Sequence, residues 1–222
     1  MGRIHPHDVR KLIGRSSDHE TVWTVWKKSS MAFHGTDGFS VYDSSGKLAF
    51  RVDNYSRKHK FFSGELLLMD GSGRPLLVLH PQIFSMHDGW KGYRSDDELR
   101  NIVSRSHVFS MGRRSILQSS DEAEVYMLSS TGHLPQKPDF RIEGCFWRRC
   151  CSILTGTGNV VAEISRKKVK NMSVFFGDDV FTIVIKPGVD CELIMAFMVV
   201  MDRISKKPFT PILCSSSSHA VL

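Results

Sequence analysis

Asp190-Cys-Glu-Leu-Ile-Met-Ala-Phe-Met-Val-Val-Met-Asp-Arg-Ile204 is the stretch whose reading decides the fold. Its centre, Leu193 to Met201, is nine apolar residues in a row and leaves no polar face at any helical angle. Pro187-Gly188 interrupts what precedes it, and Asp190 suits an N-cap. Glu192 in the first turn, with Arg203, Lys206 and Lys207 at the far end, carries the signs that the helix macrodipole favours. Pro208 ends the segment. Leu, Met, Ala, Glu and Phe read as helix, although Val199-Val200 alone could be strand. At the helical rise nine residues cover about 13 Å, whereas a membrane span takes roughly 20 apolar residues. The helix is therefore expected inside protein, with Leu193, Ile194, Phe197, Met198, Val200 and Met201 buried. The remaining chain has to form a sleeve around it.

Upstream, from Thr21, the chain reads as short β-rich segments. Thr21-Val-Trp-Thr-Val-Trp-Lys27 is β-branched and aromatic. Phe39–Asp43, a turn at Ser44-Ser-Gly46 and Lys47–Asp53 make a hairpin. The same grammar recurs in Glu65–Asp70, Gly71-Ser-Gly73 and Arg74–His80, and again in Ser152–Thr155, Gly156-Thr-Gly158 and Asn159–Ile164. Trp90–Tyr93, His107–Met111, Ala123–Leu128, Asp139–Trp147 and Val180–Lys186 are further strands. The recurrence has no fixed period, so the pattern is a meander of hairpins rather than a solenoid. About a dozen short strands before one strong helix predict a mostly β sandwich or barrel, and closure would both remove edges and supply the sleeve.

Residues 1–20 are polar and aperiodic and read as a loose N-terminal arm, 21–207 as the domain, and 208–222, with the Ser215–Ser218 run, as a flexible tail. At 222 residues, with 41% hydrophobic and 24% charged residues, the chain is an ordinary single globular domain. Five cysteines (Cys145, Cys150, Cys151, Cys191 and Cys214) show no CxxC spacing, and one lies in the buried helix, so reduced intracellular thiols are expected. The first thirty residues hold no apolar h-region, and Pro6 stands where a myristoylation motif needs Ser or Thr. An intracellular protein, in cytoplasm or nucleus, follows.

Several blocks resemble a known family. Thr24-Val-Trp-Lys-Lys-Ser29, Gly38-Phe-Ser-Val-Tyr-Asp43, Phe50-Arg-Val-Asp-Asn-Tyr55 and Leu68-Met-Asp70 resemble the N-terminal half of the plant LURP-one-related family. Phe140-Arg-Ile-Glu-Gly-Cys-Phe146, and Pro187-Gly-Val-Asp190 followed by the apolar helix, resemble its C-terminal half. The resemblance implies a tubby-like fold, a closed β-barrel of about twelve strands threaded by one C-terminal hydrophobic α-helix. It also implies a superfamily that includes the phosphoinositide-bound, membrane-tethered tubby regulators and the phospholipid scramblases, and a family name taken from plant defence. The scramblases' acidic Ca²⁺ segment and long C-terminal apolar span have no counterpart here.

Chemistry is sparse. There is no GxSxG, P-loop, HExxH or Cys/His cluster at metal spacing, so no enzyme, cofactor or metal is expected. His5 and His7 read as solvated, Gly71-Ser-Gly73 as a hairpin turn, and Asp53 as the end of a strand that caps a loop. Asp96-Asp97-Glu98 and Asp178-Asp179 read as solvated turns, lacking the alternating oxygens of a Ca²⁺ loop.

The net charge of +7 and pI near 9.3 point to an acidic partner. Residues 141–170 hold seven Lys or Arg against two acidic residues. Arg57, Lys58 and Lys60 follow one strand beside Phe61-Phe62; Arg166, Lys167, Lys168 and Lys170 follow another. Cations with adjacent aromatics suit a peripheral membrane patch that binds anionic phospholipid headgroups, including phosphoinositides, at the plasma membrane surface. The alternative is a scaffold whose charges meet an acidic protein or nucleic acid. Cys150-Cys151 beside Arg148-Arg149 could take an acyl chain, or could simply place one buried cysteine in a strand. A monomer is expected.

Overall fold

The computed structural model describes residues 17–28, 38–54, 64–82, 89–94, 106–114, 122–129, 135–167 and 177–205, the side chains of residues 28, 53 and 54 excepted. Among these residues twelve strands and one helix follow in order: β1 Thr21–Lys28, β2 Gly38–Tyr42, β3 Leu48–Asn54, β4 Leu66–Asp70, β5 Pro75–Pro81 and β6 Trp90–Arg94. After them come β7 Ser106–Arg113, β8 Ala123–Met127, β9 Phe140–Cys145, β10 Cys150–Thr155, β11 Val160–Arg166, β12 Val180–Ile185 and α1 Cys191–Ile204. Each strand pairs antiparallel with its neighbour in sequence, and β1 returns to pair with β12, from Thr21↔Ile185 to Trp26↔Val180. The result is a closed up-and-down barrel, which leaves no sheet edge. Of the two architectures that the strand count allowed, the barrel is the one adopted, and the twelve sequence segments become the twelve strands with ends shifted by a residue or two.

Three boundaries differ from those read in the sequence. Asp53 lies inside β3, paired in register with Leu67, instead of ending the strand. Phe146 and Trp147 leave β9 for a four-residue turn in which Arg149 takes a positive φ of 53°. Cys150 and Cys151 join β10, with Cys150 exposed and Cys151 buried.

The barrel is filled from both sides. Alternate strand residues face inward, as the two-residue period requires: Phe39 and Val41, Phe50 and Val52, Leu77 and Leu79, Phe181 and Ile183 are all buried. They meet α1, in which Leu193, Ile194, Phe197, Met198, Val200 and Met201 are all buried, as the unbroken apolar run demands. The described lumen is therefore core, filled by α1 and the inward strand residues. Phe197 sits at the centre, edge-on to Phe109 with ring centroids 5.0 Å apart and tilted against Phe140 at 5.5 Å.

Asp190 caps α1, its carboxylate accepting from the backbone N–H groups of Glu192 and Leu193. Asp190→Ala is expected to lower stability by about 1 kcal/mol, read as a lower denaturant midpoint at unchanged m-value. Gly92 on β6 is needed for a different reason. A Cβ there would stand 2.1 Å from the Phe109 ring, which lies over the bare backbone and is wedged against Phe197. Gly92→Ala is expected to cost about 1–3 kcal/mol by overpacking, measured as a drop in melting temperature. An unchanged melting temperature would show that the ring has room to move.

Candidate anionic-surface site

Strand direction divides the barrel's surroundings into two ends. At one end β1, β3, β5, β7, β9 and β11 finish and their partners β2, β4, β6, β8, β10 and β12 begin. Asn54 and Leu66, between which Arg57, Lys58 and Lys60 stand in sequence, both belong to this end. So do Lys167 and Gly177, which bracket Lys168 and Lys170. These five cations lie outside the described residues, but the strands that bracket them open on one rim. The C-terminus of α1 arrives there too, because Lys27 Nζ donates to Asp202 Oδ1 at 2.9 Å.

Arg166 and Lys167 are described. Arg166 is exposed at the end of β11, its Nη2 3.1 Å from Asp178 Oδ1 and its Nε donating to the Arg148 carbonyl at 3.3 Å. Both members of that ion pair are more than 40% exposed, so water and salt hold it near the 0–1 kcal/mol of surface pairs, and a phosphate can compete for the guanidinium. Lys167 is half-buried and donates to Thr24 Oγ1 at 2.5 Å, which ties the start of the connection to β1.

The β9–β10 turn contributes two residues that the sequence reading counted only as charge. Arg148 is exposed, with its guanidinium 4.8 Å above the ring of Trp147, and among the described residues no carboxylate pairs with it. A cation stacked on a half-buried indole combines the two groups that favour a membrane interface. Arg149 does the opposite. It is 6% exposed, packed between Phe146 at 4.7 Å and Phe181 at 4.2 Å, and its Nε donates to the Asp178 carbonyl at 3.0 Å. Burial pulls its pKa down while Asp202, Asp178 and Asp179 oppose that, and an arginine stays charged under such opposition. Asp202, in the last turn of α1, has the sign the macrodipole disfavours. Lys27 at 2.9 Å and Arg149 at 3.9 Å offset it and fasten the helix to the rim. Asp178-Asp179 thus form an exposed turn, as expected, but one whose backbone is held by Arg149 and by Lys27 N, which donates to the Asp179 carbonyl.

The opposite end offers no anion cradle at its two turns Asp43-Ser-Ser-Gly46 and Asp70-Gly-Ser-Gly73. Asp70 Oδ1 accepts from Ser72 N, Ser72 Oγ and Arg74 N, and Asp43 Oδ1 does the same with Ser45 and Lys47. These bonds, led by the Ser hydroxyl, lower both carboxyl pKa values. A carboxylate already occupies the N–H groups that a phosphate would want, so Gly71-Ser-Gly73 is a turn and nothing more.

Two nucleophile-bearing arrangements among the described residues, at Ser110 and Cys191, are unsuited to nucleophilic attack. Ser110 Oγ lies 3.2 Å from His107 Nε2, but that nitrogen also faces the Phe109 carbonyl at 2.9 Å. A carbonyl only accepts, so Nε2 carries the proton and cannot take one from serine. Cys191, at the N-terminus of α1, has its pKa raised by burial first of all, the reverse of thiolate activation. Among the described residues no group of three or more His, Cys, Asp or Glu is placed to hold a metal ion. His5, His7 and Asp96-Asp97-Glu98 lie outside the described residues. No helix among the described residues is long and apolar enough to cross a membrane.

Residues 21–202 match the sequence profile of a family described as LURP-one-related. Two Arabidopsis thaliana proteins illustrate the likeness. Protein LURP-one-related 5 is 38% identical over 183 residues, covering 80% of each chain, and protein LURP-one-related 17 is 33% identical over 189 residues, covering 82% of each. An X-ray structure of another protein from that plant superimposes with a TM-score of 0.60 over 86% of this chain and 94% of its own, at 21% identity. That last likeness concerns the fold alone.

Proposed function

The chain belongs to the LURP-one-related family, and on that premise we propose that it is a non-enzymatic regulatory module that docks on anionic membranes. Its basic end binds phospholipid headgroups, phosphoinositides among them, through Arg57, Lys58, Lys60, Arg166, Lys167, Lys168 and Lys170. It acts as an intracellular monomer of cytoplasm or nucleus, peripheral at the plasma membrane, in the manner of membrane-tethered transcription regulators and with a role in plant defence.

One observation carries the reading: strand polarity brings the anchors of both cationic connections to the same rim of the barrel. Two basic loops on opposite ends could not touch one planar surface together. The exposed Arg148 over Trp147 stands at that rim as well, and the Arg166–Asp178 pair is weak enough to open toward a phosphate. Arg149 is excluded from the headgroup set because its charge is spent inside the protein. Co-sedimentation with neutral and phosphoinositide-doped liposomes tests the reading. If the protein ignores the acidic vesicles, its charges serve a protein or nucleic-acid scaffold instead.

A further inference from the structure

We propose that Cys145 and Cys150 are a dithiol–disulfide pair, oxidised by a low-molecular-weight disulfide. They are direct partners in the β9–β10 ladder, beside Gly144↔Cys151 and Ser152↔Glu143. Ile142, Ile153 and Cys151 are buried on the inner face, so Cys145 and Cys150, one step out of phase with Cys151, share the outer face. Cys150 is exposed and Cys145 half-buried, and both can meet a solute. Direct antiparallel partners have Cα atoms roughly 4.5–5.5 Å apart, inside the roughly 4.4–6.8 Å that a disulfide accepts. Their Cβ atoms must draw in by about 1 Å.

The site is built tightly. The turn between the two residues is only 146–149, and Gly144 takes a φ of 106° where a Cβ would stand 2.5 Å from the Cys150 carbonyl oxygen. A bridge formed there is strained, and a strained bridge is readily reduced, so the pair is a switch and not a structural staple. Arg148 and Arg166, joined through the Arg148 carbonyl, flank it and attract an anionic disulfide such as oxidised glutathione. The other described thiols have no such access, since Cys151 is 6% exposed and Cys191 4%.

The chemistry balances without a further reagent. The Cys150 thiolate attacks one sulfur of the small disulfide, forming a mixed disulfide and expelling one small thiolate. The Cys145 thiolate then attacks Cys150 Sγ, forming the internal bond and expelling the second. The protein loses two electrons and two protons, and the small disulfide gains both.

The test is to equilibrate the whole chain with oxidised and reduced glutathione in varied ratio, quench with a thiol-alkylating reagent and map each cysteine by peptide mass. With the chain unfolded at the quench so that every free thiol can react, labelling of Cys145 and Cys150 is expected to vanish together while the buried Cys151 and Cys191 keep theirs, and reduced glutathione should restore it. Cys145→Ser should instead accumulate glutathione on Cys150, because the resolving thiol is gone. If wild type also halts at that adduct, or if neither cysteine changes its labelling, the pairing is wrong. The readout is thiol chemistry alone, so failure of the membrane reading leaves it untouched.

Discussion

Phe197→Asp is expected to yield no folded protein. The side chain is 0% exposed at the middle of α1, and its ring is clasped by Phe109 and Phe140. Truncating a buried Phe costs about 3–5 kcal/mol, through forfeited packing and the cavity that remains. A carboxylate left there without a partner adds several kcal/mol more, since the barrel wall around it is apolar. Together these amount to roughly 6–10 kcal/mol, comparable with the roughly 5–15 kcal/mol that hold a typical domain folded. Recovery in inclusion bodies, or a soluble fraction without a cooperative thermal transition, is the expected result. Phe197→Leu serves as the control, keeping an apolar group of lesser volume and retaining a cooperative melt at reduced temperature. A soluble Asp variant melting with wild type would mean that the ring is not enclosed.

The burial of this helix was legible because nothing else can be done with nine consecutive apolar residues too short to span lipid. The strands were legible for a related reason. Many carry their inward residues at every second position and end at a turn marked by glycine, as in Ser44-Ser-Gly46 or Gly71-Ser-Gly73. The β9–β10 turn escaped because Phe146-Trp-Arg-Arg149 contains neither glycine nor proline. Its last residue adopts a positive φ without glycine's freedom, held by stacking between Phe146 and Phe181. Counting charges along the chain treated Arg149 as one more surface cation. Only the fold reveals that Asp202, about fifty residues later, sits close enough to keep it inside.

The candidate site divides along the same line. Composition identified two basic segments, and the aromatic neighbours of one, but could not say whether they face the same way. That depends on strand number and polarity: one strand more or fewer between Asn54 and Arg166 would send them to opposite ends. The even meander from β3 to β11 is what brings the strand ends that flank them to one rim. Lys167 shows the limit of reading charge as function, because part of its bonding capacity is already used on Thr24. Arg148 shows the opposite error, a cation stacked on Trp147 that no sequence spacing distinguishes from its buried neighbour.

Replacing Arg57, Lys58, Lys60, Arg166, Lys167, Lys168 and Lys170 with Gln is expected to abolish binding to acidic vesicles while leaving the fold. Seven charges are removed, taking the formal net charge from +7 to 0. Among the described residues the change breaks the exposed pair of Arg166 with Asp178, its bond to the Arg148 carbonyl and the Lys167 bond to the Thr24 hydroxyl. Changes at exposed positions such as Arg166 each shift stability by less than about 0.5 kcal/mol, and loss of the part-buried Lys167 hydrogen bond adds about 1 kcal/mol, within the margin of a typical domain. Attraction to an anionic leaflet is worth about 1 kcal/mol per nearby Lys or Arg. Even four residues truly at the membrane therefore amount to about 4 kcal/mol, roughly several hundredfold in affinity. The effect must shrink as salt rises, because exposed charges are screened beyond about 8 Å at physiological ionic strength. Liposome co-sedimentation with neutral and phosphoinositide-doped vesicles, wild type beside the sevenfold variant and repeated at raised salt, measures all of this. Equal binding by the two proteins would dismiss these residues as the membrane-binding set, and binding that salt does not weaken would dismiss charge as its cause. Arg149 stays unaltered in the variant, because its removal would strip Asp202 of a buried partner and confuse a loss of binding with a loosened helix.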